Sequence, residues 1–228
     1  MEAGSDHEAR YEVRREAASA VVIAVAVLIA LAFMSWKNDW VLVELPWWSW
    51  LVLALPGLVL CVDLWLGARQ LGFAGTRVAA LVLLVSIVLG NLVGVAFLVG
   101  ALVATSTDDL SGGHLLFTTA AIWSVNVIVF GLCYWDIDDG GPFERANNER
   151  STPDFRFPQD ETPEVAPPDW KPRVWDYIFV ALTSASAFSP TDTMPLTLKA
   201  KLLVGVEEVV SLVLIVLVTA RAVSVLGT

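Results

Sequence analysis

The sequence predicts an all-α protein, a polytopic transmembrane helix bundle of five hydrophobic spans plus one short spanning or re-entrant helix. Three observations predict it. Hydrophobic residues make up 56% of the 228, and the mean hydropathy is +0.66, far from the composition of an ordinary globular domain. Uncharged runs such as Ala17–Met34 and Val78–Ala104 are long enough to cross a bilayer, which takes about 20 residues at ~1.5 Å rise each. Trp36, Trp40, Trp47, Trp48, Trp50, Trp65 and Trp135 fall near the ends of such runs, where an interfacial aromatic belt would place them.

The elements follow in order. Residues 1–16 form a polar tail with Arg10, Arg14 and Arg15. The run behind it, Ala17–Trp36, is long for a signal peptide and lacks a small-residue cleavage site, so it reads as a retained first span. Trp47–Leu66 is the second span, kinked by Pro56–Gly57. Arg77–Ala104 is the third, in which Ser86, Gly90 and Gly94 make a small-residue ladder for close helix packing. Leu115–Trp135 is the fourth, where Thr119, Asn126 and Cys133 repeat every seven residues; each reads as an interhelical hydrogen-bonding or packing position. Residues 17–135 thus form four transmembrane helices. Residues 136–173 form an acidic, Pro-rich surface loop with ten acidic and five basic residues, a composition unable to bury a core of its own. An extended, partly ordered strap along the membrane surface is expected, with Phe155, Phe157 and Trp170 as its anchors. Residues 174–228 hold a short membrane helix at 174–189, a Pro-broken loop and the last span, Leu198–Leu226. Ten Lys and Arg lie on one side of these spans and one on the other, which places the N-terminus in the cytoplasm.

Composition also excludes. A net charge of −10 argues against nucleic acid, because phosphate binding needs a basic patch. The two cysteines, Cys61 and Cys133, lie in hydrophobic runs and offer neither a disulfide framework nor metal-ligand spacing. Asp136, Asp138 and Asp139 before Gly140–Gly141 begin like a calcium loop, but the later ligands and terminal Glu do not follow. No nucleophile–base pair, phosphate loop or cofactor fingerprint occurs, so neither an enzyme nor a cofactor is expected.

The candidate functional residues cluster late in the chain. Glu207 and Glu208 sit within the last hydrophobic segment, where an ionisable group suggests function. Helical periodicity groups Lys201, Glu208 and Thr219 on one face, with Gly205 and Ser211 on the same broad side. The competing reading is acids at the headgroup level, paired with Lys201 or Arg173. Thr183, Ser184, Ser186 and Ser189 form a hydroxyl-rich run that either packs helices closely or coordinates a cation in a pathway. Thr191, Asp192 and Thr193 follow; Asp192 or Thr193 could cap the last helix with Pro195 in its first turn, or Asp192 could line a pore mouth.

Two stretches, IWSVNVIVFGLCYWDIDDGGP from Ile122 and DYIFVALTSASAFSPTDTMPLTLKAK from Asp176, resemble a family of bacterial integral membrane proteins. That family carries a YW-[DE]-x-D-x-GGP element, an FPQ segment (Phe157, Pro158, Gln159) and an AFSPTDTMPL element. The resemblance covers about Trp47 to the C-terminus and implies a multi-pass protein of the bacterial inner membrane, with no activity attached. The C-terminal half is also similar in layout to the two-helix pore module of potassium channels, with Leu182, Thr183 and Ser184 where that family has L-T-T. A potassium filter needs glycines that aim carbonyls inward, and no glycine occurs between Gly141 and Gly205. The expected function is channel-like or transporter-like, for a small cation or proton, in the lipid bilayer and as a homo-oligomer. The alternative is a non-conducting structural or accessory membrane protein that binds a partner through its acidic loop.

Overall fold

The computed structural model describes residues 18–30, 112–141, 152–168, 170–187 and 192–226, with isolated positions between 32 and 96. Its first helix, α1, covers 18–30. Then come α2 (Gly112–Ile137), a 3-10 turn (Asp138–Gly140), β1 (Phe155–Arg156), the single-turn α3 (Pro158–Glu161), α4 (Val174–Ala187), β2 (Met194–Pro195) and α5 (Leu198–Leu226).

Helices α1 and α4 each turn one apolar stripe inward at helical spacing. In α1 the stripe is Ala20, Val21, Ala24, Val25 and Leu28; in α4 it is Val174, Tyr177, Val180, Ala181 and Ala185. Both stripes join one core with Val125, Val129, Phe130, Leu132 and Tyr134 of α2 and with Ala200 and Val204 of α5. Helix α2 lies against both α4 and α5, and α4 also touches α5. The α2–α4 approach is close because of Gly131. A Cβ there would stand 2.7 Å from Ile178 Cα and 2.8 Å from its Cγ1.

Capping and turn chemistry set the ends. Helix α2 leaves through Asp139, in the left-handed region at φ 51°, followed by Gly140 at φ 79° and Gly141 at φ 98°. The short side chain of Asp and the missing Cβ of Gly tolerate that backbone. Helix α4 starts reciprocally: Asp176 Oδ2 accepts from Arg173 N–H at 2.7 Å and Asp176 N–H donates to Arg173 O at 2.9 Å, so two otherwise orphaned donors are satisfied. Strands β1 and β2 pair antiparallel with Phe155 opposite Pro195 and Arg156 opposite Met194. Proline is tolerated in this ribbon because each strand has an unpaired edge.

The outer faces of α4 and α5 are apolar as well. Trp175 and Phe179 of α4 are exposed, as are Leu198, Leu202, Val206 and Val209 of α5.

The structure corrects the expected architecture. The chain is helical, but among the described residues no helix is long and apolar enough to cross a membrane. Helix α4 has 14 residues, about 21 Å at ~1.5 Å each, short of a ~30 Å hydrocarbon core. Helix α5 has 29 residues, but Lys199, Lys201, Glu207 and Glu208 all fall in its first half, and each charge is costly in hydrocarbon. The polytopic transmembrane bundle, the inner-membrane multi-pass localisation and the membrane and ion-channel assignments are therefore overturned. The small-residue ladder Ser86, Gly90 and Gly94 lies outside the described residues, as do Ser189 and Thr191 of the candidate pathway.

Candidate functional site

The described polar groups converge where α2 ends and α5 begins. Three sequence elements far apart in the chain meet there: Tyr134–Gly141, the strap around Asp154–Phe157, and Thr193–Lys199.

Asp138 is fully buried at the C-terminal end of α2. Its Oδ1 accepts from the backbone N–H of Asp154 at 2.6 Å and of Phe155 at 3.0 Å. Its Oδ2 accepts from the Tyr177 hydroxyl of α4 at 2.5 Å. One carboxylate thus ties the helix end, the strap and α4 together, and its buried charge is met by donors on both oxygens.

Asp154 repeats the pattern from the strap. The Thr197 hydroxyl donates to its Oδ1. Its Oδ2 pairs with Lys199 Nζ at 2.7 Å and accepts from Asp139 N–H at 3.2 Å. The pair is asymmetric: the Asp154 side chain is 2% exposed and that of Lys199 is 56% exposed. Lys199 Nζ also donates to Ile137 O at 3.1 Å, placing a cation at the carbonyl end of α2, where the helix dipole favours it. Leu196 N–H donates to Asp154 O at 2.8 Å. Thr197, and not Asp192 or Thr193, sits at the N-terminus of α5, receiving Ala200 N–H at 3.4 Å and Lys201 N–H on its carbonyl at 3.0 Å.

Between the carboxylates stands an aromatic stack. Phe155 lies 5.0 Å from Tyr134 and 6.1 Å from Tyr177 between ring centroids. Phe157 meets Tyr177 edge-on at 5.3 Å and Trp170 at 5.6 Å. Phe155 and Phe157 are both buried in the core between the helices, where a strap along a membrane surface was expected. The strap is pinned into the helices at these residues.

One helical turn deeper, Tyr134 donates its hydroxyl proton to Glu207 Oε2. Glu207 is 0% exposed, and its Oε1 is buried with no hydrogen-bond partner. Burial raises the Glu207 carboxyl to about 8; the Tyr134 hydrogen bond opposes that rise and the nearby Glu208 adds to it. Burial, then the Glu207 charge, pushes the Tyr134 hydroxyl upward. Burial, with Asp136 and Glu207, lifts the Cys133 thiol to about 12, so it is an inert thiol in this fold. Farther along the same contact, Asn126 Nδ2 donates to Ser211 Oγ at 3.3 Å.

The candidates named from sequence separate accordingly. Glu207 faces inward on the stripe Ala200, Val204, Glu207, Ser211 and Leu214, all buried. Glu208 is only partly covered, and Lys201 is exposed. The stripe expected around Glu208 is therefore rotated by one residue. Asn126 does bond across helices, to Ser211. Thr183 and Ser186 spend their hydroxyls within their own helix, on Val180 O at 2.9 Å and Leu182 O at 2.5 Å. Ser184 is buried with its Oγ unpartnered. Asp192 is exposed and Thr193 buried. The hydroxyls thus do not gather into a common lining among the described residues. Asp138, Asp154, Tyr134, Tyr177, Thr197 and Lys199 were missed from sequence. Tyr134 and Asp138 lie in the YWDIDDGGP motif; the other four carry no local signal, because their meeting in space is set by tertiary structure. Comparison with protein-family models, with curated proteins and with solved structures found no match for this chain.

Proposed function

We propose that this chain is a non-catalytic binding protein that holds the strap at 152–173 in a fixed shape for a positively charged partner. The observation that carries the reading is the strap's division of labour. Its Asp154, Phe155 and Phe157 are buried in the helical junction, while Asp160, Glu161 and Glu164 are exposed. A composition-driven acidic loop would be expected to remain solvated along its whole length. Two buried carboxylates and an aromatic stack pre-organise this one, which lowers the ordering cost of binding.

Charge supports the same reading. The chain carries −10 overall, and a field of one sign steers partners of the other sign and disfavours phosphate polymers. Within the exposed turn Arg156 pairs with Glu161 at 3.3 Å, and Asp160 Oδ2 accepts from Phe157 N–H at 2.9 Å. Both contacts hold the acidic turn in one conformation.

The test uses the purified full chain and a lysine-rich peptide labelled for fluorescence anisotropy. Asp160→Asn, Glu161→Gln and Glu164→Gln combined should weaken binding about tenfold, and added salt should weaken the wild type toward the variant. Equal affinities across that comparison would refute the reading.

A further inference from the structure

A second feature stands apart from the strap and concerns how the helices are held. We propose that Glu207 is the proton-binding element of a pH-operated clasp between α2 and α5, closed when its carboxyl carries a proton and released when that proton leaves.

The geometry carries the argument. The α2–α5 contact is apolar along the inward stripe of α5 except at two levels. One is the neutral pair Asn126–Ser211. The other is Glu207, 0% exposed, whose one hydrogen-bond partner among the described residues is the Tyr134 hydroxyl. Its second oxygen is buried and bare. An ionised carboxylate needs donors on both oxygens, an arrangement found at Asp138 and Asp154. A neutral acid needs far fewer. With a single neutral donor, no cation and one naked oxygen, this setting suits the protonated form and penalises the anion.

The groups around it agree. Helix α2 brings Tyr134 and the Cys133 thiol, both kept neutral first by burial. Helix α5 itself adds Glu208, a like charge whose own carboxyl burial raises. Helix α4 contributes Tyr177, whose hydroxyl is committed to Asp138. Lys199 is committed to Asp154 and Ile137 O. Lys201, earlier on α5, is exposed, and among the described residues no ion pair reaches Glu207. Loss of the proton therefore favours an arrangement in which Glu207 reaches water, and that requires α5 to separate from α2 at Tyr134. Cys133, buried next to Tyr134, is uncovered by the same movement.

Cys133 makes the clasp measurable. In a Cys61→Ser background, its alkylation by a neutral maleimide is followed between about pH 5 and 9 in the full chain, with and without Glu207→Gln. Glutamine is a neutral stand-in for the protonated acid and keeps the clasp closed. The ratio of wild-type to Glu207→Gln rates should be near one in acid. It should then rise by up to about tenfold per pH unit while the proton is being released, and level off above about pH 8. A ratio that stays flat overturns the proposal. Should Glu207→Gln fail to fold, Tyr134→Phe decides. Removing the hydroxyl takes away the one donor that stabilises the anion, so the wild-type transition should move to higher pH. An unmoved or lowered transition overturns the clasp.

Discussion

Asp138 shows what a single buried side chain is worth here. It accepts two backbone N–H groups and one hydroxyl with no solvent to replace them. Asp138→Ala leaves three buried donors unpaired and should cost about 3 kcal/mol or more, since each orphaned donor carries a penalty of ~1–3 kcal/mol and local relaxation recovers part of it. Asp138→Asn keeps an acceptor for the N–H pair and turns an amide toward Tyr177, whose oxygen can accept, so it should cost clearly less. Denaturant midpoints of the two variants test that order. Glycine gives a second contrast. Gly131→Ala drives a Cβ into the Ile178 backbone at 2.7 Å, so α2 and α4 must shift apart, at a cost of about 1–3 kcal/mol for overpacking. Gly205→Ala meets nothing within 4 Å and should stabilise α5 by ~0.5–1 kcal/mol through propensity alone. Opposite signs from two Gly→Ala changes are the measurable outcome.

At the scale of the element, the strap behaves as a latch with a strong and a weak half. Asp154 is nearly fully buried and Lys199 half exposed. Asp154→Ala strands the Thr197 hydroxyl and the Asp139 N–H and should free the strap. Lys199→Ala removes a screened surface charge, and such pairs contribute ~0–1 kcal/mol. Limited proteolysis between residues 158 and 168 should therefore accelerate strongly in Asp154→Ala and little in Lys199→Ala. Equal acceleration would show that the ion pair, and not the buried hydrogen bonds, holds the strap. This organisation was only partly legible beforehand. Phe155 and Phe157 are apolar residues in a polar segment, so their anchoring could be read from composition. Asp138 and Asp154 could not, because a carboxylate's partners are backbone N–H groups 16 and 17 residues away, and sequence spacing does not report them.

For the molecule as a whole, pH is the variable that integrates these groups. Glu207 binds its proton more tightly folded, at about 8, than its ordinary value of 4.5. The folded state therefore holds more protons than the unfolded state between those values, and stability falls as pH rises through that window. The contribution is fully present below about pH 4.5 and gone above about pH 8. Thermal unfolding of wild type against Glu207→Gln should show midpoints that diverge across this range and run parallel outside it. Helix α5 ties the scales together, since Thr197 and Lys199 at its start hold the strap and Glu207 two turns later meets α2.

Sequence alone determined the helical class, the apolar character of the segments and the acidity of the strap. These follow from composition and from a period of 3.6 residues, which are local properties. It misjudged what the helices are for and which acid faces inward. Periodicity gives the relative angles of residues on a helix but not the rotation of that helix against its neighbours, and neighbouring Glu207 and Glu208 differ by only ~100°. Tertiary packing settled that rotation: Ala200, Val204, Ser211 and Leu214 had to face α2, and Glu207 went with them. It also brought Asp138, Asp154 and Lys199 together, because buried carboxylates must be met by donors wherever in the chain those donors lie.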